Sequence, residues 1–130
     1  MAKRKESYVS KKFKNLLHIY VATFTRNIYY INTKSLKKYK AILLEQLGLD
    51  VSHLTFNEFA DGNFSVYKDH DGIPIGIIRA KKEDIPVLVH ECLHATFWIM
   101  ENVGIELCEK SEEVYCYTQM LILNEIINSK

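Results

Sequence analysis

Glycine and proline are scarce in this chain of 130 residues, with five of the first and two of the second. That scarcity excludes a collagen-like repeat, and no segment is biased enough to read as low complexity or as a long linker. Cysteine is also rare and odd in number. Cys92, Cys108 and Cys116 fall in the C-terminal third, a poor framework for a secreted disulfide fold, so reduced thiols are expected. No apolar run approaches the roughly 20 residues that span a bilayer. The opening stretch Met1 to Ser7 leads into more lysines rather than an apolar signal core. A cytoplasmic protein with no membrane partner is therefore expected. What is present suits one globular domain: 48% hydrophobic, 25% charged and 12% aromatic residues in 15.2 kDa.

The formal net charge of +1 hides an uneven distribution. Residues 1–50 carry 11 Lys/Arg against 3 Asp/Glu, and residues 51–130 carry 6 against 13. A basic half raises the question of nucleic acid. Charge runs of this kind are more often solvated faces, so nucleic acid is not the expected partner.

Residues 1–15 are polar and basic with no usable period, and read as a flexible tail ahead of a single domain over 16–130. Leu16 to Thr25 and Ile28 to Ile31 are rich in β-branched and aromatic residues, which predicts two strands with a turn at Arg26-Asn27, or one long bent strand. Ser35 then stands as a helix N-cap. Leu36, Tyr39, Ile42, Leu43 and Leu47 follow at helical spacing until Gly48. Strands return between Leu54 and Ala80, with turns at Asp61-Gly62 and Asp71-Gly72. Ile73 to Ile78 is the most apolar of them. Pro74 and Gly76 within it predict an edge strand, or a strand that something approaches closely. A long apolar helix spans residues 84–103, with Asp84 as N-cap, Pro86 in its first turn and Gly104 past its end, and it is expected to lie inside the domain. A last helix starts at Ser111, with Tyr117, Met120, Leu121, Ile126 and Ile127 to bury.

The chemistry lies in Val89-His90-Glu91-Cys92-Leu93-His94-Ala95, an H-E-x-x-H pattern on the predicted long helix. Residues four apart on a helix stand one turn above each other, so His90 and His94 can share one Zn²⁺. A carboxylate beside a metal-bound water can take its proton as that water attacks a carbonyl, which assigns Glu91 as general base. On an otherwise apolar helix, three polar groups without partners would cost a few kcal/mol to bury, and a metal removes that cost. A catalytic zinc needs a third protein ligand. Glu113 follows His94 by 19 residues, enough for a turn at Gly104 and a second helix folding back. Glu112 and Cys116 remain alternatives. Cys92 points away from the pair, and Cys108 sits in a loop.

Taken with Val103-Gly104-Ile105 and Glu112-Glu113-Val114-Tyr115-Cys116-Tyr117, the motif resembles the minimal gluzincin-like metallopeptidases encoded by bacteriophages and prophages. The resemblance is specific over residues 85–123 and only architectural before them. It departs from the usual pattern at Val114 and Cys116, where alanine is common. A more distant similarity is to ImmA/IrrE-type peptidases, although no helix-turn-helix is present. The resemblance implies an α+β, zincin-like fold, with an antiparallel or mixed sheet of about three or four strands packed on the active-site helix and a second C-terminal helix, plus one N-terminal helix. It implies Zn²⁺ on His90, His94 and Glu113, with Glu91 catalytic, and cleavage of a peptide or specific protein substrate in the host cytoplasm.

An extended substrate is expected to pair along Ile73 to Arg79. Tyr115, Tyr117, Tyr67 and His70 are candidate oxyanion donors. The alternative is a non-catalytic, zinc-stabilised interaction protein that binds a host protein. Glu91 favours the enzyme, because a structural zinc site needs no base.

Overall fold

The computed structural model describes the backbone of residues 8–13 and residues 16–55 and 61–129. Five strands form one mixed sheet: β1 (Tyr8–Phe13), β2 (Leu16–Val21), β3 (Arg26–Ile31), β4 (Gly62–Lys68) and β5 (Pro74–Ala80). Their spatial order is β1-β2-β3-β5-β4. All neighbours are antiparallel except β3 and β5, which run parallel with Ile28 beside Gly76. Three helices complete the α+β architecture: α1 (Leu36–Leu47), α2 (Ile85–Asn102) and α3 (Glu112–Asn128). None of the described helices is long and apolar enough to cross a membrane.

The two-residue period of the strands divides the core into two layers. Leu17, Ile19 and Val21 of β2, Ile28 and Tyr30 of β3 and Ile78 and Ala80 of β5 pack with α2 and α3. The intervening Leu16, Ile31, Ile75 and Ile77 pack with Tyr39 and Leu43 of α1 and with Val51. The sheet is thus covered on both faces. This explains why β5 reads as a continuous apolar run: both sets of its side chains are buried.

The α1 helix has the expected ends. The Ser35 hydroxyl accepts the Lys38 N–H at 3.2 Å, and Gly48, at φ 67°, donates its own N–H to Leu43 and Leu44 carbonyls. Asp84 and Ser111 stand at the N-cap positions of α2 and α3, but neither side chain bonds its helix.

Five expectations need correction. Residues 8–13, read as part of a flexible tail, pair with β2 as an edge strand; the rest of that tail, 1–7 and 14–15, lies outside the described residues. The turn before β3 falls at Ala22–Thr25, not Arg26-Asn27: a short 3-10 turn is followed by Thr25 at φ 50°, a conformation that threonine does not advertise. β5 is interior, and β4 is the edge. Pro74 sits at the end of the ladder opposite Lys68, where a missing N–H costs little, and Gly76 lies under the Phe64 ring. Finally, α3 buries Tyr115, Thr118, Ile122 and Ile126, leaving Tyr117, Met120 and Ile127 exposed. Similarly, α2 buries one face while Ile85, Leu93 and Val103 remain exposed. Residues 56–60 of the predicted strand region lie outside the described residues.

Candidate metal centre

Helix α2 packs Leu88, Cys92, Ala95, Ile99 and Met100 into the core, which turns His90 and His94 to the exposed face. Their rings meet edge-on with centroids 4.7 Å apart, and the two Nε2 atoms are 3.1 Å apart. That spacing suits a hydrogen bond between them. It also matches the separation of about 3.3 Å expected for two nitrogens at tetrahedral angles on one Zn²⁺, given usual Zn–N distances.

Glu91 lies 100° around the helix from His90, on the side facing the sheet. It is only 6% exposed. Its carboxylate and the two imidazoles bring ligand atoms within 4.8 Å of one another, the only such His/Cys/Asp/Glu group among the described residues. Burial pushes the Glu91 pKa up, while His90, His94 and Arg79 pull it down. The three groups fit a metal on donor chemistry: two neutral-capable imidazoles and an acid held dry beside them.

Gly62 brings the sheet against this helix. A Cβ there would stand 2.6 Å from Val87 Cγ1, 2.9 Å from the Arg79 carbonyl oxygen and 3.3 Å from Glu91 Cγ, so no larger residue fits without movement. Two open cavities flank the contact. One, of about 440 Å³, lies between Asn63 and Phe64 of β4 and His94, Trp98 and Glu101 of α2. The other, of about 350 Å³, lies between Asp61 and His90. They share Gly62 and Glu91, forming one groove along the β4 edge. Phe64 and Trp98, with rings 5.8 Å apart, wall one end.

Arg79 braces β4 from the opposite face of the sheet. It is 1% exposed, and its Nε–H donates to Asn63 Oδ1 at 2.6 Å. Its guanidinium also donates to the carbonyls of Thr33 and Lys34 at 3.4 and 3.3 Å. The strand edge beside the histidines is thereby tied to the segment leading into α1.

Glu113 is exposed in the first turn of α3 and does not belong to the converging group; the same holds for Glu112 and Cys116. Cys92 is buried in the core and Cys108 is exposed in the α2–α3 loop, both away from the metal face. The proposed oxyanion donors are dispersed. The Tyr115 hydroxyl donates to the Ile105 carbonyl at 2.6 Å. Tyr117 is 55% exposed on α3. Tyr67 packs against the α1 layer, and His70 lies in the exposed β4–β5 turn beside Asp71.

Asn63, Trp98 and Glu101 carry no expectation from the sequence, and Asp61-Gly62, expected as a turn, instead leads into β4 beside the site. Glu101 had a usable signal, since it follows His94 by seven residues and so shares its helix face. The others reach the site only through the pairing of β4 with β5. Comparison with known protein families, with curated proteins and with solved structures finds no match for this chain.

Proposed function

We propose that this chain is a zinc-dependent, gluzincin-like peptidase with a zincin-like arrangement of sheet and helix. The observation that carries the reading is the His90–His94 pair, with Nε2 atoms 3.1 Å apart beside the buried Glu91. Bound zinc supplies Lewis acidity, which polarises a carbonyl oxygen and acidifies water near neutral pH. His90 and His94 hold the ion. Glu91 would accept the proton of the attacking water and return it to the leaving amine, from a largely buried position that opens onto the groove.

Glu113 is the proposed third protein ligand. Tyr115 meets the Phe97 ring at 5.3 Å, so the start of α3 runs beside α2, but Glu113, two residues earlier, lies about 200° around the helix on its exposed side, and ligation requires the first turn of α3 to rotate or unwind towards the histidines. The Glu113 carboxylate is exposed and has no partner among the described residues.

An extended substrate takes its place along β4 rather than β5. Among the described strands only β5 pairs with β4, so the outer edge of β4, which carries Gly62 beside Glu91, is open for backbone hydrogen bonds to a substrate.

A second reading, a zinc-stabilised protein that binds a host protein without cleaving it, is favoured by apolar side chains exposed on α2 and α3, among them Leu93, Tyr117 and Met120. Glu91 beside the histidines, with no hydrogen bond from another described side chain, favours the enzyme. The separating experiment maps new protein N-termini in a bacterial lysate treated with zinc-loaded parent or Glu91→Gln. Cleavages made by the parent and lost in the variant support the peptidase; identical sets from both proteins refute it.

A further inference from the structure

A second cavity, larger than the metal groove and sharing no lining residue with it, opens where the first turns of α1 meet the start of β2 and the ends of β5 and α3. Its volume is about 840 Å³, within the range of small-molecule sites. The apolar surface comes from the half-buried Ile42 and the exposed Ala41 of α1, with the nearly buried Leu16, Leu17 and Tyr30 closing the inner end. The rim is cationic. Lys34, Lys38, Lys81 and Lys82 line it with a single acid, Glu45, among the described lining residues, and Lys81 makes an exposed pair with Glu83 at 3.7 Å, outside the lining, which an anion can displace.

The rim is also fixed in place. Lys82 donates from its ammonium to the Ser129 carbonyl and from its backbone N–H to Asn32 Oδ1 at 3.0 Å. The Thr33 hydroxyl accepts the Ser35 N–H at 3.0 Å, setting the entry to α1. Lys34 is paired with Asp61 at 3.0 Å, an exposed contact that a competing anion can replace at little cost. Lys38 has no partner among the described residues. The N-terminal end of α1 adds its partial positive charge to that of the lysines.

We propose that this cavity binds a small organic anion, an apolar body carrying a carboxylate, sulfonate or phosphate. The apolar surface demands the body and the lysine rim the charge. Neither a bare inorganic ion nor a neutral apolar molecule satisfies both. This proposal does not rest on the peptidase reading: the two sites share no lining residue and touch only through the exposed Lys34–Asp61 pair.

The test is a fluorescence titration of the full chain with anilinonaphthalene sulfonate, in the parent and in two variants. Lys38→Glu with Lys81→Glu reverses charge at the rim. Ala41→Trp, at an exposed position of α1 that lines the cavity, fills it while keeping every lysine. Circular dichroism and melting confirm that each variant keeps the parent's fold. Saturable binding to the parent is expected, weakened at least about tenfold in both variants and weakened further by salt. Octanoate is expected to displace the probe at concentrations where octanol and inorganic phosphate do not. The proposal is overturned if the parent shows no saturable binding, or if either folded variant keeps the parent's affinity within about twofold. Displacement by octanol or phosphate as effective as that by octanoate also overturns it.

Discussion

Glu91 is a carboxylate placed where carboxylates are normally excluded. Ionised acids are rarely buried without a partner, because removal from water disfavours the charged form. Here the side chain is 6% exposed, and its closest ionisable company is a pair of imidazoles. Replacing it with glutamine keeps the shape and removes the base. Glu91→Gln is therefore expected to retain zinc at the parent's stoichiometry while peptide cleavage falls about 10²- to 10⁴-fold, the range for losing a general base. The cysteines offer an independent check on the described packing. Burial pushes the Cys92 thiol up to about 12, whereas the Ser111 hydroxyl beside Cys108 lowers the pKa of that exposed thiol. Only the thiolate reacts. As pH rises towards 8, iodoacetamide should modify Cys108 in the folded chain, and Cys92 only after denaturation, as read by peptide mass mapping. At this scale the motif was legible because helical spacing is local: four residues always place His90 below His94. Asp61 and Asn63 were not legible, since nothing in their own neighbourhood announces that a strand pairing will set them beside α2.

The β4 strand is the element on which the groove depends. It packs on α2 through Gly62, and Arg79 holds it from behind through Asn63. Gly62→Ala forces a methyl group against Val87 and a backbone carbonyl, and overpacking of this kind costs about 1–3 kcal/mol. The expected result is a lower midpoint in chemical denaturation, with zinc binding by the histidines retained. The α2 helix is anchored elsewhere, by fully buried residues such as Ile99. Ile99→Ala should destabilise the fold by about 2–5 kcal/mol in the same measurement. Element types were largely legible. Ser35 and Gly48 bracketed α1 at both ends because capping residues act over a few residues only. The order of the strands was not. Pro74 and Gly76 signal an edge or a close approach, and sequence has no means to distinguish an outer strand from an inner one whose glycine receives the Phe64 ring. The exposed face of α3 escaped for a similar reason: its apolar residues surround the helix, so periodicity could not choose which of Tyr115 and Tyr117 turns inward.

Across the whole molecule, the two cavities draw differently on the two halves of the chain: the second cavity takes lysines from both, Lys34 and Lys38 from the basic half and Lys81 and Lys82 from the acidic one. The acidic half carries the metal groove, with Glu91, Glu101 and Asp61 around the histidines. The sheet separates the layer of α1 from that of α2 and α3. Metal binding on α2 should be felt by the entire fold, since an ion that binds only the folded state stabilises it by about 2.7 kcal/mol at a hundredfold excess over its dissociation constant. Melting of the parent is expected to fall on chelation and to recover with zinc, whereas His94→Ala should melt alike under both conditions. The charge imbalance was visible in the sequence, but which charged residues gather at each cavity depends on tertiary placement. The most direct measurement is the zinc content of the purified chain by native mass spectrometry, with His94→Ala alongside. One tightly held zinc per parent chain and none in the variant is the expected result; a parent without zinc, or a variant that holds as much as the parent, would contradict the metal centre at His90 and His94.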